Sequence, residues 1–366
     1  MKQITNSGPL CGLKIIEFEG IGPAPLAGQL LSDLGADVIK IQKKTSSKKK
    51  EPILDRNKKI LVLDLKSNDD KALTNKLISK ADVLIEGFRP GVMERLGLGP
   101  KDCEQINPKL IFGRITGWGQ DGPYAKKAGH DINYISITGA LNAIGYEETP
   151  PVPPLNLLGD YAGGTMFLIM GILSALWERT FSKKGQVIDA AMIEGVPALM
   201  SLIHTFCAEN NWNNTRSSNL LDGGCPYYRC YKTKDGLFVS VGALENKFFT
   251  ILIEKLELDQ NWIKEQENKS RWDQLSDELA KKFLTKTRNE WARIFFNTDA
   301  CVEPVLNFTE IEDNLQNKAR NIFFRENNTL QANVAPKFSR SVPQDHLNSA
   351  NPTKTTSQIL KEWNID

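Results

Sequence analysis

Residues 13–41 read LKIIEFEGIGPAPLAGQLLSDLGADVIKI, in which two β-branched runs are joined by a glycine- and proline-rich turn and a leucine-rich stretch. Pro23 and Pro25 suit the first turn of a helix, and Gly35 suits its end. A strand, a helix and a second strand in this order predict one βαβ unit with parallel strands.

Similar β-branched runs follow along the first half of the chain, separated by helical patterns. They lie at 60–65, 82–86, 109–115 and 186–190. This alternation predicts an α/β fold with a parallel sheet. From 129 to about 206 the rest of the pattern is helical, and its most apolar run, 166–177, is typical of a buried helix.

The chain is long enough for two domains at about 150 residues per domain. After residue 210 the pattern changes, because residues 227–231 and 237–241 flank an Asp-Gly turn typical of a β-hairpin. Three helical patterns follow, at 245–256, 271–284 and 289–296. We therefore expect a linker at 211–224, a smaller α+β domain at 225–310, and an irregular path at 341–354 before a last short helix.

Charge and composition exclude several classes of protein. The 46 basic and 44 acidic residues give a net charge of only +2, so no nucleic-acid partner is expected. The apolar run of twelve residues is shorter than the roughly 20 needed to span a bilayer, and the start lacks a signal-peptide pattern. No membrane association and a cytoplasmic location are therefore expected. Six scattered cysteines and three histidines predict no metal site.

The turn at 20–25 invites comparison with the dinucleotide-binding fingerprint, G-x-G-x-x-G. Pro25 replaces the third glycine, and Lys43 stands near the place where an acidic residue would hold a ribose. An NAD site is therefore not expected. The basic residues at 43–59 are consistent with a solvated loop, but their place after the second strand favours a phosphate-bearing ligand.

Two further residues carry alternative interpretations. His130 lies in the segment AGHDINY and, taken alone, fits a residue at the start of a helix. Asp160 precedes the most apolar helix and, taken alone, fits an N-cap. The glycines around Asp160 would also let a ligand approach backbone amides at a helix start, so its own amide is a candidate contact for an oxyanion.

These segments resemble the family III CoA-transferase superfamily and, within it, the α-methylacyl-CoA racemases. The resemblance extends over about residues 10–340. The matching segments, in order, are 20–23, 33–38, 63–66, 81–86, 88–92, 116–120, 129–134, 154–160, 221–224, 241–245 and 299–302. It implies an interlocked homodimer with a shared active site. Each subunit would have a large Rossmann-like domain built from 1–210 and 311–366, with the small domain inserted between them.

The resemblance also implies the reaction and its residues. His130 and Asp160 would form the acid/base pair that interconverts (2R)- and (2S)-2-methylacyl-CoA, with Asp131 and Glu245 orienting the histidine. No cofactor is implied, since CoA is part of the substrate. The implied contacts with the acyl-CoA are Ile21, Gly22, Pro23, Lys43, Arg56, Lys58, Lys59, Leu63, Asp64, Leu65, Lys66, Glu86, Gly87, Arg89, Gly129, Asn133 and Tyr134.

Two alternatives remain open at this stage. A CoA transferase of the same superfamily would use Asp160 as a nucleophile, and His130 is the feature that argues for a racemase instead. A non-catalytic acyl-CoA-binding protein with the same fold is the second alternative. Lys43 also departs from the arginine that is common in the superfamily.

Overall fold

A computed structural model describes residues 8–44, 53–343 and 354–365. Its described residues divide into two compact units. Unit 1 draws on the ranges Met1–Ala140, Pro154–Ser201 and Phe323–Asp366, and unit 2 on Leu141–Pro153 and Leu202–Ile322.

Unit 1 contains a six-stranded parallel sheet in the order β3-β2-β1-β4-β5-β6. This strand order is that of the Rossmann fold. The strands are β1 (Lys14–Phe18), β2 (Asp37–Lys43), β3 (Lys59–Leu63), β4 (Val83–Glu86), β5 (Ile111–Thr116) and β6 (Gln186–Ala191). The predicted α/β fold with a parallel sheet is confirmed, and each of the six predicted strands is present with ends shifted by at most two residues.

Helices connect these strands and cover the sheet. They are α1 (Pro23–Asp33), α2 (Asn68–Lys80), α3 (Val92–Arg95), α4 (Pro100–Ile106), α5 (Asp131–Ser136), a π-helix (Leu157–Met166), α6 (Phe167–Ser182) and α7 (Met192–Leu199). An antiparallel hairpin, β10 (Phe323–Glu326) with β11 (Thr329–Ala332), and a last helix, α14 (Thr356–Glu362), complete unit 1. The predicted last short helix is therefore present, whereas 344–353 of the predicted irregular tail lies outside the described residues.

Alternate side chains of the strands enter two apolar layers. On β1, Ile16 and Phe18 pack in one layer, while Ile15 packs in the other. Both layers are buried because helices cover both faces of a parallel sheet, which explains why the strands read as continuous apolar runs rather than alternating ones. Trp363, just after α14, joins the first layer, and its indole N–H donates to Asp37 Oδ2 at 2.9 Å.

The helical pattern predicted from residue 129 onward was wrong for residues 137–156. Apart from one 3-10 turn, Leu141–Ala143, this stretch is irregular. Gly139 and Gly145 both have positive φ, and four prolines lie between 150 and 154. These residues interrupt a helix even where apolar residues recur at helical spacing.

The apolar run at 166–177 is buried on one face only. In α6, Leu168, Ile172 and Ala175 lie against the sheet, but Met170 and Trp177 are exposed. Among the described helices, the stretch Leu157–Ser182 is the one that has enough length and apolar character to cross a membrane. Its packing against β5 and β6 is that of a core helix in an α/β protein.

Unit 2 combines an antiparallel sheet with helices. The sheet has the order β7-β8-β9, and the predicted hairpin forms its first two strands. The elements are α8 (Ser201–Ala208), whose first residue belongs to unit 1, β7 (Tyr228–Lys232), β8 (Phe238–Gly242), α9 (Asn246–Lys255), α10 (Asn261–Glu265), α11 (Trp272–Phe283), α12 (Arg288–Phe295), β9 (Val302–Pro304) and α13 (Leu315–Ala319). The three predicted helices correspond to α9, α11 and α12.

The bounds of unit 2 differ from those predicted for the small domain. The unit starts at Leu202 instead of 225, and it also includes Leu141–Pro153. Hydrogen bonds explain part of the difference, since Arg216 donates to backbone carbonyls within Leu141–Pro153. The predicted linker is therefore a structured part of unit 2.

Candidate functional site

Two loops lie at the point where the strand order of the sheet reverses. β1 and β4 are neighbours, and the chain leaves them toward opposite edges of the sheet. In open α/β sheets, ligands bind at the carboxyl ends of the strands at such a point. The loops that follow β1 and β4 contain four of the predicted contact residues, namely Ile21, Gly22, Gly87 and Arg89, and a fifth, Pro23, begins α1.

Asp160 lies in the π-helix, beside the turn that follows β1. Gly22 has a φ of 73°, and a Cβ at this position would lie 3.1 Å from Asp160 Oδ2. Thr165 Oγ1 donates to the Pro23 carbonyl at 2.9 Å and to the Asp160 carbonyl at 3.2 Å, which ties the π-helix to the same turn. A π-helix is rare and is frequently found at functional sites.

Asp131 binds the backbone of Asp160. Its Oδ2 accepts a hydrogen bond from the Asp160 N–H at 2.6 Å, while its Oδ1 is buried and has no hydrogen-bond partner among the residues that the structure describes. Gly159 makes this approach possible, because a Cβ there would lie 2.7 Å from Asp131 Oδ2. The expectation that the Asp160 amide is open to a thioester oxygen is therefore wrong in this structure, since Asp131 occupies that donor.

The surroundings of Asp160 favour its protonated form. Burial raises the pKa of its carboxyl group and is the largest cause, and the nearby charge of Asp131 raises it further. The hydrogen bond from Asn156 Nδ2 to Asp160 Oδ2, at 3.4 Å, and the charge of His130 act in the opposite direction on this pKa. The net shift is upward, which is the direction that an aspartic acid needs in order to donate a proton near neutral pH.

His130 is the residue immediately before α5. Its backbone N–H donates to Asn133 Oδ1 at 3.1 Å, and its carbonyl accepts from the N–H groups of Asn133 and Tyr134. The backbone of His130 is thereby fixed, while its side chain is exposed. The structure gives the Asp131 carboxylate a contact with Asp160 in place of the expected contact with His130.

Tyr134 connects α5 to the chain before it. Its hydroxyl donates to the Gly129 carbonyl, and its ring packs edge-on against Trp118 with centroids 4.8 Å apart. Burial raises the pKa of Tyr134, the carboxylates of Asp160 and Asp131 raise it further, and Arg89 lowers it. Tyr134 is therefore close enough to Asp160, Asp131 and Arg89 for their charges to act on its hydroxyl group.

Residues 10–354 match the family model described as CoA-transferase family III. The chain belongs to this family. Two racemases are similar to this family III chain over most of its length. The α-methylacyl-CoA racemase of Mus musculus is 42% identical over 357 residues, covering 97% of this chain and 93% of that protein. That of Homo sapiens is 42% identical over 314 residues, covering 86% and 82%. The resemblance seen in the sequence is thus confirmed.

A solved structure supports the fold of this family III chain. The crystal structure of a CaiB/BaiF family protein from Brucella suis aligns with a TM-score of 0.78 at 22% identity. The alignment covers 98% of this chain and 100% of that one. At this identity, the likeness concerns the fold.

In this family III chain, three of the four basic residues predicted to bind phosphate form ion pairs with carboxylates of unit 1. Lys58 is fully buried and forms an ion pair with Glu17 at 2.6 Å. Arg56 is paired with Asp33, and Lys59 bridges Asp37 and Glu362. A direct contact between Lys58 and phosphate is incompatible with this arrangement, because desolvating a charge favours an internal partner. Lys43, at the end of β2, has an exposed side chain. Lys48–Lys50 lie outside the described residues.

Two further groups of predicted contacts need correction. Leu63 and Leu65 are buried in the core, so their side chains cannot face a ligand, whereas Asp64 and Lys66 between and beside them are exposed. Glu86 is fully buried and accepts hydrogen bonds from Arg114 Nε at 2.7 Å and from the Phe88 N–H at 2.6 Å. These bonds shape the turn that carries Gly87 and Arg89, which are both exposed.

Glu245 belongs to unit 2, where it immediately precedes α9. Its carbonyl accepts from the N–H groups of Phe248 and Phe249, and its side chain is exposed. Its predicted role toward His130 stays a prediction.

The sequence did not single out Asn156, whose side chain contacts Asp160. Asn156 stands four residues before Asp160, a spacing that places two side chains on one side of a helix, and this was the available signal. Within 8–44, 53–343 and 354–365, no group of three or more His, Cys, Asp or Glu side chains is arranged to hold a metal ion.

Proposed function

We propose that this chain is an α-methylacyl-CoA racemase. The observation that carries the proposal is the pairing of an exposed imidazole, that of His130, with a nearby carboxyl group whose pKa is raised, that of Asp160. The 42% identity to the racemases of Mus musculus and Homo sapiens supports the same assignment. Asp160 lies beside the turn that follows β1, at the carboxyl edge of the sheet, where this fold binds ligands.

The proposed reaction moves one proton on each face of the substrate. One member of the pair removes the α-proton as the C–H electrons form an enolate with the thioester carbonyl. The other member, initially protonated, donates its proton to the opposite face of the planar enolate, so the α-carbon is inverted. The two residues end with their protonation states exchanged, which suits the reverse direction. The reaction requires no cofactor beyond the CoA of the substrate.

The CoA end of the substrate needs cationic partners at the same edge. Lys43, the last residue of β2, and Arg89, in the loop after β4, have exposed side chains, and we assign the phosphate contacts to this pair. We assign no ligand contact to Arg56, Lys58 and Lys59. Their ion pairs within unit 1 instead hold the neighbouring part of the chain in place.

A homodimer is part of the proposal. One face of α6 presents an apolar stripe at helical spacing, which we call the α6 stripe. Its members are all more than one-third exposed: Met166, which immediately precedes α6, and Met170, Leu173, Trp177 and Phe181 within it. Soluble proteins seldom leave a contiguous apolar surface of this kind in water, and a second copy of the chain is the occupant that the family resemblance implies.

The cytoplasmic location stays a prediction from the sequence.

A solvent-exchange experiment separates the racemase from a transferase. One pure epimer of a 2-methylacyl-CoA is incubated in deuterated water without an acceptor acid. A racemase incorporates deuterium at the α-carbon as the epimers interconvert. Transfer of CoA to an added carboxylate without α-exchange would instead establish Asp160 as a nucleophile and refute the proposal.

The same assay with His130→Ala excludes a mere binding protein. The variant should lose about 100-fold to 10,000-fold in rate, the range for a lost general acid or base, with little change in acyl-CoA affinity. Wild-type protein that binds the thioester without any turnover would show that the fold has been kept for binding alone.

A further inference from the structure

The π-helix that contains Asp160 is joined directly to α6. It extends over Leu157–Met166, and α6 begins at Phe167. Hydrogen bonds join residues four apart in an α-helix but five apart in a π-helix. Changing from one spacing to the other rotates the residues on one side of the change by about 100° around the helix axis. The spacing therefore decides in which direction the side chain of Asp160 leaves this element.

The hydroxyl group of Thr165 spans the five-residue spacing. Thr165 is fully buried, and its Oγ1 lies 3.2 Å from the carbonyl oxygen of Asp160, five residues earlier. A threonine in an α-helix usually donates to the carbonyl three or four residues earlier. In an α-helical arrangement the Thr165 hydroxyl would therefore face the Tyr161 carbonyl. Its contact with the Asp160 carbonyl favours the π-helical arrangement.

The same hydroxyl group also binds the turn that lies against the Asp160 carboxyl group. Its Oγ1 is 2.9 Å from the carbonyl oxygen of Pro23, so the single hydroxyl proton is shared between two acceptors. Pro23 follows Gly22, where a Cβ would lie 3.1 Å from Asp160 Oδ2. Thr165 thus holds both the main chain of Asp160 and the turn that its carboxyl group approaches.

The helix α7 packs closely against another part of the π-helix. A Cβ at Gly195 would lie 1.9 Å from the Gly163 carbonyl oxygen, and a Cβ at Gly163 would lie 2.7 Å from a methyl carbon of Val196. This backbone contact does not involve the Thr165 hydroxyl group. It should keep the π-helix in place when that hydroxyl is removed, so we expect a local change of spacing instead of unfolding.

We propose that Thr165 is a positioning residue for Asp160, holding the Asp160 carboxyl group beside the turn after β1 through the two carbonyls that its hydroxyl group binds. The inference rests on the proposed racemase function. Without the hydroxyl group, the α-helical spacing becomes accessible at Asp160, and the carboxyl group is displaced from its place for part of the time.

The test compares Thr165→Ala with Thr165→Ser, since both lack the methyl group of threonine and they differ only in the hydroxyl. Thr165→Ala should lower kcat about tenfold to a hundredfold, the effect of a misplaced reacting group, with KM nearly unchanged. Thr165→Ser should restore most of kcat. Thr74→Ala is the control, because Thr74 is also fully buried and donates to the Asp70 carbonyl, four residues earlier, at 2.8 Å. This control should leave kcat unchanged.

A second readout does not depend on turnover. The pKa of the Asp160 carboxyl group is followed by ¹³C NMR without substrate. Burial raises this pKa in the wild type, so a carboxyl group that leaves its buried place should titrate closer to its ordinary value. The pKa should therefore fall in Thr165→Ala and stay raised in Thr165→Ser and Thr74→Ala.

An Asp160 pKa that is the same in Thr165→Ala and Thr165→Ser would overturn the inference, and so would equal kcat values for these two variants. An equal loss of kcat in Thr74→Ala would overturn it as well, because any lost buried hydroxyl would then have the same effect. Thr165→Val replaces Thr165→Ala if the alanine variant does not fold. A wild-type protein without epimerisation would refute the proposed function separately, and the NMR titration would still decide the role of Thr165.

Discussion

The carboxylate of Asp131 accepts a hydrogen bond at 2.6 Å from the backbone N–H of Asp160. This contact has two effects on Asp160. It holds the residue in place through the main chain, and it brings a negative charge close to its carboxyl group, which raises the pKa of that group. Asp131 thus acts on Asp160, whereas the sequence resemblance had linked it to His130.

The variant Asp131→Asn tests this electrostatic role. The amide oxygen can still accept from the Asp160 N–H, but the negative charge is gone, so the pKa of Asp160 should fall while remaining raised by burial. Asp160 would then be protonated over a narrower range of acidic pH. The limb of the kcat profile that reports Asp160 should shift to lower pH. An unshifted limb would show that the charge of Asp131 does not act on Asp160.

Gly22→Ala tests the close approach between the turn after β1 and Asp160. The added Cβ would lie 3.1 Å from Asp160 Oδ2, and the residue would also keep a positive φ. Gly12→Ala is the matched control, because Gly12 has a φ of 90° and open space around a Cβ. Both variants should lose about 1 kcal/mol of unfolding free energy from the backbone conformation.

Steady-state kinetics separate these two glycine variants. Gly22→Ala alone should lower kcat, since it displaces the carboxylate or blocks the substrate from it. Equal activity in both would show that the contact between position 22 and Asp160 is irrelevant to turnover.

The buried pair of Glu17 and Lys58 should make stability depend on pH. Burial raises the pKa of Glu17 to about 7, although Lys58 opposes this shift, and burial lowers the pKa of Lys58. The folded pKa of Glu17 lies above its unfolded value of about 4.3, so the folded state binds more protons. This contribution to the unfolding free energy is complete below about pH 4 and is lost as pH rises through about 7.

Glu17→Gln should remove this pH dependence and, above about pH 7, where Glu17 is ionised, leave Lys58 buried without a carboxylate. The unfolding measurements below are therefore made above pH 7. The expected loss is about 3–5 kcal/mol of unfolding free energy, measured with urea, and Glu17→Gln combined with Lys58→Met should recover much of it. Asp313→Asn, which removes one partner of an exposed ion pair with Lys318, is the control and should change stability little. A small effect of Glu17→Gln would contradict the burial of an ionised pair.

The α6 stripe should hold two subunits together. Trp177 is 68% exposed in the single chain, so Trp177→Lys would place a charge in the proposed interface. Sedimentation should show a dimer for the wild type and a monomer for this variant. Glu178→Lys introduces the same side chain one position away, outside the stripe, and should remain dimeric. A monomeric wild type, or a dimeric Trp177→Lys, would exclude this surface as the interface.

The parallel sheet could be predicted because its signal is local. The β-branched runs at 13–18 and 37–41 and the proline and glycine residues between them specify strand, helix and strand within 30 residues. The helical reading of 137–156 failed because apolar residues at helical spacing do not show that Gly139, Gly145 and nearby prolines interrupt the backbone.

The candidate site could be predicted only in part. His130 and Asp160 could be proposed from their segments, and their roles stay a prediction. The basic residues at 56–59 were misread, since charge in a sequence looks the same whether it faces solvent or an internal carboxylate. Asn156 and Thr165 gave no pattern that marks a function, because their contacts lie with residues whose approach depends on the folded chain.

The sequence by itself determined the α/β class and the strands of the sheet, and it supplied the candidate residues for proton exchange. These follow from periodicity and from the chemistry of single side chains. The tertiary structure decided which partner each charged group has: Asp131 meets an amide, Lys58 a buried carboxylate and Arg216 a set of carbonyls. Such pairings arise because burial removes water, so that each buried polar group needs a hydrogen-bond or ion-pair partner within the protein. The fold decides which group that is, and it often comes from a distant part of the chain.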